Sequence, residues 1–186
     1  MTAQTALFDI ATPQPAKRTP KRRRPAPVVE PVPPTVNTTG RTWVITFKAP
    51  ARMLSVNGNP HWRRTSPIRK TWRQAVYLHA KSAKLPTGLA RVRLDFILRF
   101  PTAGRRDAAN YHGNVIKPCV DALGPAINTM RGGKRVIAVG YGLIPDDTAE
   151  YLDGPHVLLG DPVRDKAMPY GQVILTITDL SGADHA

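Results

Sequence analysis

The sequence predicts an α+β fold, a small single domain in which a mixed sheet of about four strands packs with two main helices. Three observations predict this fold. Short segments alternate apolar and polar residues, two other segments space apolar residues as a helix does, and no internal repeat is visible. The 186 residues suit one such domain at 41–182, preceded by a tail at 1–40.

The tail at 1–40 is rich in proline and basic residues and contains few large apolar side chains. Such a segment buries too little surface to offset the entropy lost on ordering, so we predict that it is disordered. Its basic cluster KRRR at 21–24 suits either a non-specific phosphate contact or a solvated linker.

The folded part begins with WVITFK at 43–48, whose β-branched and aromatic residues predict a strand. A basic loop follows, and then a helix is predicted with Ser66 as its N-cap and Pro67 as its first helical residue. The spacing of apolar residues places one set on a single face of this helix, namely Ile68, Trp72, Ala75, Val76 and His79.

The rest of the domain is predicted as three more strands and a second helix. ARVRLDFILRF at 90–100 alternates apolar and polar residues, which indicates a half-buried strand. NVIKPCVDAL at 114–123 fits a helix that begins near Pro118 or is kinked there. HVLLG at 156–160 and QVILTITDL at 172–180 are predicted as two final strands that form a hairpin, and RGGKR at 131–135 as a basic turn that can contact phosphate.

The charge of the chain indicates an acidic polymer as its partner, most often a nucleic acid. Lys and Arg number 27 against 13 Asp and Glu, which gives a formal net charge of +14. The single cysteine, Cys119, excludes an internal disulfide and a cysteine-based zinc site. The apolar runs have strand length and the N-terminus does not match a signal peptide, so we expect a cytoplasmic, nucleoid-associated protein.

Four acids stand out against this basic background. They are Asp107, directly behind Arg105 and Arg106, then Asp121, four residues after Lys117, and finally the neighbours Asp146 and Asp147.

If these acids converge, their carboxylate oxygens would form a binding site suited to Mg²⁺. A bound Mg²⁺ would promote phosphodiester hydrolysis, because it polarises the phosphate and lowers the pKa of a water. A nearby lysine would stabilise the charge of the transition state, and the arginines would hold the DNA backbone. Two simpler interpretations remain open: Asp121 pairs with Lys117 on one helix, and Asp146 caps the next element.

The order of these segments resembles the RusA family of Holliday junction resolvases. The matching segments are LSVNGN at 54–59, TWRQAV at 71–76, RRDAANYHGNVIKPCVDAL at 105–123 and GLIPDD at 142–147. The resemblance covers about residues 43–180. It implies a small α/β fold, a homodimer, and Mg²⁺-dependent nicking of two opposed strands at a four-way DNA junction, with Mn²⁺ as a substitute metal.

The resemblance implies catalytic roles for Asp107, Lys117 and Asp147, and a metal-binding role for Asp107, Asp121, Asp146 and Asp147. DNA contacts are predicted from the arginines before Asp107 and from the first loop and helix. These contacts are Arg105, Arg106, Asn57, Arg63, Arg64, Arg69, Lys70 and Arg73.

The chain departs from the family's Arg-Asp-x-Asp-Asn motif at one acid, because Ala109 stands in the place of the second aspartate. About four extra residues also precede Lys117, so Asn110 and Asn114 are both candidates for the motif's asparagine. These departures keep open a second interpretation, a protein that binds junctions or other DNA but cuts weakly or not at all. A basic RNA-associated protein is a weaker third interpretation, because the sequence lacks the aromatic pattern of RNA-recognition sheets.

The tail contains the segment QTALF at 4–8, which resembles the Gln-x-x-Leu-Phe peptide by which bacterial replication and repair proteins bind the sliding clamp. Gln4, Leu7 and Phe8 match that peptide. An apolar Leu-Phe pair on a tail without a core of its own is suited to binding in an apolar pocket of a partner protein. The alternative is a tail segment without a partner.

Overall fold

A computed structural model of the chain describes residues 35–39, 41–58 and 61–181. Within these residues lie two α-helices, seven strands and two short helical turns. In chain order they are β1 (Thr35–Thr39), β2 (Thr42–Lys48), α1 (Trp62–Ser82), β3 (Val92–Arg99), a 3₁₀ turn (Ala108–Tyr111), a π turn (His112–Ile116), α2 (Lys117–Leu123), β4 (Ile127–Arg131), β5 (Lys134–Ala138), β6 (Leu152–Leu159) and β7 (Gln172–Asp179). The strand β1 overlaps the end of the range predicted as a tail, and residues 1–34 lie outside the described part.

Five of the strands form one mixed sheet in the order β1–β2–β7–β3–β6. The strand β7 is antiparallel to both β2 and β3, whereas β6 is parallel to β3. A row of apolar residues crosses the sheet, because Ile45 pairs with Leu175, Leu175 with Phe96, and Phe96 with Val157. The predicted α+β class is confirmed, and the four predicted strands are present as β2, β3, β6 and β7.

One apolar core joins the sheet to both helices. From α1 it takes Trp72, Val76 and Ala80, all fully buried, so the predicted apolar face of this helix is confirmed at Trp72 and Val76. Burying each large side chain of this kind contributes about 1.5–3 kcal/mol to folding. In the part of the chain that the structure describes, no helix is both long enough and apolar enough to span a membrane.

The predicted start of the first helix is wrong by about one turn. The helix begins at Trp62 and not at Pro67, and the ring nitrogen Nδ1 of His61 accepts a hydrogen bond from the backbone N–H of Arg63 at 3.3 Å. Pro67 therefore lies inside the helix. It is tolerated because it is exposed to solvent, where water can replace the one intrahelical hydrogen bond that proline removes.

The predicted hairpin between the last two strands is also wrong, because β6 and β7 are not neighbours in the sheet. Val173, Leu175 and Ile177 on one face of β7 are fully buried, so this strand takes a central place between β2 and β3. In β6 only Leu152 is buried, which suits the edge of the sheet.

The second helix begins at Lys117 with Pro118 in its first turn, as predicted. A separate hairpin, β4–β5, was not predicted. Its turn is the Gly-Gly pair of the segment predicted as a basic turn, with Gly132 at φ 54° and Gly133 at φ 73°. Two successive residues with positive φ are what a tight hairpin turn requires, and glycine adopts that conformation without strain.

A glycine at the end of the β6–β7 connection supplies the first stability prediction. Gly171 has a φ of 94°, and a Cβ there would collide with the backbone carbonyl oxygen of Arg99. We expect Gly171→Ala to lower the free energy of unfolding by about 3 kcal/mol, because backbone strain and a backbone clash act together. Denaturant unfolding followed by circular dichroism measures this loss.

The matched control is Gly133→Ala in the hairpin turn. Its φ is also positive, but a Cβ there would meet nothing within 4 Å. This variant should lose only the conformational term, about 1 kcal/mol. If both variants lost the same free energy of unfolding, a Cβ at position 171 would not collide with the Arg99 carbonyl oxygen.

Candidate functional site

A groove of about 1000 Å³ lies between α1, the first turn of α2 and the end of β5. Its cationic side chains are Arg69, Lys70 and Arg73 from α1 and Lys117 from α2. They lie together because Arg69 and Arg73, four residues apart on α1, reach the facing segment at Gly113 and Asp121, and Lys70 is the chain neighbour of Arg69. The groove therefore presents positive charge along one wall.

Lys117 joins two acids at the edge of this groove. Its ammonium nitrogen Nζ lies 3.1 Å from Oδ1 of Asp121, one helical turn further along, and forms a short hydrogen bond with Oδ2 of Asp147. That hydrogen bond raises the pKa of the Lys117 ammonium and lowers the pKa of the Asp147 carboxyl. Both groups therefore stay charged at neutral pH.

Asp121 is held by a second cation, because a guanidinium nitrogen of Arg73 forms a short ion pair with its other carboxylate oxygen. The interpretation of Asp121 as a helix partner of Lys117 is thus confirmed. The contact with Arg73 was not predicted, because these residues lie 48 positions apart. The contact of Arg73 with Asp121 links α1 to α2.

Asp107 lies in a separate recess of about 310 Å³, named here the Asp107 recess. It is lined by Ser55, Asn57, Arg105, Arg106, Asp107, Asn110 and Tyr111. The exposed Asp107 carboxylate caps the 3₁₀ turn by accepting a hydrogen bond from the Ala109 N–H at 3.0 Å. Among the described residues it forms no ion pair, so its charge is not matched by a contacting cation.

The loop that carries Asn57 is fixed to this recess by the backbone, since the N–H of Val56 donates to the carbonyl of Asn110 at 2.8 Å. The groove and the recess are also connected. Arg69 of the groove donates two hydrogen bonds to the carbonyl of Gly113, at 3.1 and 2.6 Å, and so holds the π turn between the two sites.

The four acids predicted as metal ligands are not assembled into one set. Asp121 and Asp147 converge on Lys117, Asp146 accepts a hydrogen bond from the Asp147 N–H at 2.7 Å, and Asp107 belongs to the recess. Over residues 41–58 and 61–181, no three His, Cys, Asp or Glu side chains come together as a metal site. Because Mg²⁺ often uses only one or two carboxylates and retains several waters, Asp121 and Asp147 have suitable chemistry for it.

The predicted DNA contacts fall into three places. Arg69, Lys70 and Arg73 line the groove, and Asn57, Arg105 and Arg106 line the Asp107 recess. Arg63 and Arg64 are exposed in the first turn of α1. The predicted clamp-binding residues Gln4, Leu7 and Phe8 lie outside the described residues.

Sequence reasoning missed the apolar lining of the groove, which includes Trp62 and Leu78 from α1 and Ile137 and Val139 at the end of β5. The only signal for Trp62 was a lone tryptophan in the basic run HWRR at 61–64. No signal pointed to Ile137 or Val139, because the hairpin that carries Ile137 was itself not predicted.

No protein-family model matches the chain, and no curated protein matches it. The resemblance to the RusA family therefore rests on the quoted motifs and their order alone.

Proposed function

We propose that this protein is a Mg²⁺-dependent endonuclease that cuts branched DNA, in particular four-way junctions. One observation supports the proposal most. Lys117 and Asp147, which motif order alone selects as catalytic, lie 30 residues apart in sequence and are in direct contact. The contact lies at the edge of a groove whose wall carries three further cations suited to a phosphate backbone.

The residues around this contact have the chemistry that phosphodiester hydrolysis needs. The groove cations bind and orient the DNA backbone, and the Lys117 ammonium stabilises negative charge that develops on the scissile phosphate. Asp121 and Asp147 would hold Mg²⁺, which when bound polarises the phosphate and lowers the pKa of a water. The exposed Asp107 carboxylate lies in the adjoining recess and has no ion-pair partner in the described chain. With a DNA backbone that runs from the groove into this recess, it would accept a proton from the attacking water.

A four-way junction contains two pairs of equivalent strands, so a homodimer with twofold symmetry would present one site to each opposed strand. This symmetry argument, together with the family resemblance, supports a homodimer. An enzyme of this kind would act in recombination and repair at the nucleoid.

A second candidate function is junction binding without efficient cleavage. Two observations favour it specifically. Ala109 stands where the family motif has an acid, and Asp121 is already matched by the cations of Arg73 and Lys117. Such a protein would hold branched DNA through its basic groove and leave the strands intact.

Binding measured in EDTA tests the part that both candidates share. We expect a labelled four-way junction to bind more tightly than a duplex of equal length. The affinity should fall steeply with salt, because several phosphate contacts release counterions. Lys70→Ala, which removes one exposed groove cation, should reduce the slope of log K against log salt by about 1. A salt-independent affinity would contradict DNA binding through this groove.

A further inference from the structure

The groove combines two kinds of side chain. The cations Arg69, Lys70 and Arg73 lie along α1, and the large apolar side chains Trp62, at the start of the same helix, and Ile137, on β5, line the groove with them. These apolar side chains are strongly exposed, at 65% of the Trp62 surface and 68% of the Ile137 surface. Exposed apolar surface of this extent beside a charged wall is typical of a binding site.

Trp62 and Ile137 do not belong to the folded core. On α1 the core takes Trp72, Val76 and Ala80, whereas Trp62 lies at the start of the helix and faces the groove. Ile137 belongs to the β4–β5 hairpin, which forms a sheet of its own. Within the described chain, then, no element packs over these two side chains to shield them from water.

We propose that the groove binds an unpaired stretch of DNA, with phosphates against the cations of α1 and bases against Trp62 and Ile137. A duplex presents mainly phosphates outward, because its bases are stacked and paired in the interior. An unpaired strand exposes flat apolar base faces next to its phosphates, which matches a groove that carries cationic and exposed apolar side chains side by side.

Trp62 is the residue on which a base would stack. Its indole ring is the largest flat surface in the groove, and the guanidinium carbon of Arg63 lies over the ring, 5.5 Å from its centre. A base would therefore stack on the other face of the ring, with the Arg63 cation near enough to attract its phosphate.

The charge of the groove favours a polyanion over a protein segment or a second copy of this chain. Four cationic side chains line it against the single carboxylate of Asp121, which is already paired with Arg73 and Lys117. A second copy would have to present an anionic surface to this groove, and the chain carries 27 Lys and Arg against 13 Asp and Glu.

This inference rests on the proposal that the protein binds DNA, but not on its being a nuclease. For a nuclease, it specifies a substrate class, namely branched DNA whose bases are unpaired at or near the branch point. Trp62 would then hold one such base while the backbone lies along α1.

The test compares DNA binding by the full-length chain and two aromatic variants in EDTA. Fluorescence anisotropy is measured with labelled oligo(dT) of about 16 nucleotides and with a duplex of equal length. Trp62→Ala should weaken oligo(dT) binding about tenfold and duplex binding by less than about twofold, because only the unpaired strand loses a stacking contact. Trp62→Phe keeps an aromatic ring and should retain most of the affinity.

Tyr170→Ala is the matched control, because Tyr170 is also an exposed aromatic, at 46%, and does not line the groove. It should bind both DNAs as the wild type does. Tryptophan fluorescence gives a second measurement. Oligo(dT) should quench it in the wild type and not in Trp62→Phe, since Trp72 is fully buried and Trp43 is half-buried.

Three outcomes would overturn the inference. The first is that Trp62→Ala binds both DNAs with wild-type affinity, as Tyr170→Ala is expected to do. The second is that the wild type binds duplex as tightly as oligo(dT) and its tryptophan fluorescence is not quenched. The third is that Ile137→Ser abolishes self-association, which would make the apolar surface at Ile137 a protein interface. If junctions are bound and cut while oligo(dT) is not bound, only this inference fails. If no DNA is bound at all, the proposed function fails as well.

Discussion

Replacing Asp147 with asparagine is expected to lower the nicking rate on four-way junctions by about a hundredfold or more. Asparagine keeps the shape of the side chain but removes the charge that contacts Lys117 and that would help to hold Mg²⁺. Binding of the junction should stay unchanged or become tighter, because one negative charge near phosphate is lost. Nicking is measured with Mg²⁺ on a gel, and binding is measured separately in EDTA. Asp107→Asn should have the same two effects.

Asp161→Asn is the control for this change. Asp161 is an exposed aspartate between β6 and β7 that lines neither the groove nor the Asp107 recess. Its substitution should leave both nicking and binding at wild-type levels. Wild-type nicking by Asp147→Asn would show that Asp147 is not part of the catalytic centre.

Lys117→Ala is expected to lower the nicking rate about a hundredfold while weakening junction binding only about threefold. The rate should fall strongly because the contact of Lys117 with the phosphate strengthens in the transition state. The affinity should fall little because Lys117 is one phosphate contact among many. Stability should change little, since the side chain is half-exposed and Arg73 still holds Asp121. Single-turnover nicking rates and dissociation constants give the two numbers.

Lys70→Ala provides the comparison for this prediction, because Lys70 is a second groove cation that contacts neither Asp121 nor Asp147. It should lower affinity without a further loss of single-turnover rate at saturating protein. If Lys117→Ala shows the same pattern as Lys70→Ala, then Lys117 is an ordinary DNA contact.

Local features of the fold were predictable from the sequence because local patterns determine them. Alternation of apolar residues identified β3 and β7, and helical spacing identified the buried face of α1 at Trp72 and Val76. Pro118 placed the start of α2, since the first turn is where a helix accepts proline most readily.

Long-range features were not predictable in this way. The strand β7 lies between β2 and β3 because one of its faces is fully buried, whereas β6 lies at the edge of the sheet. Alternation of apolar residues predicts a strand but does not predict which strand is central. Where the burial of its side chains is described, at 127–130, 135, 137 and 138, the β4–β5 hairpin has no buried residue. Its clearest signal in the sequence is therefore the Gly132–Gly133 turn.

The candidate site shows the same division. The contact between Lys117 and Asp121 follows from a spacing of four residues on one helix. The contact of Asp121 with Arg73 depends on how two helices pack, which no local pattern encodes. Motif order paired Lys117 with Asp147, but it also grouped Asp107 with them, whereas Asp107 lies in its own recess.

The central claim is that this protein cuts branched DNA at a centre containing Lys117 and Asp147. The most direct test is incubation of the full-length protein with a synthetic four-way junction, in four preparations that each have a different strand labelled. With Mg²⁺ we expect nicks at symmetric positions in two opposed strands, and none in EDTA or with Asp147→Asn. A junction that is bound but stays intact with both Mg²⁺ and Mn²⁺ would contradict the claim and favour the binding protein.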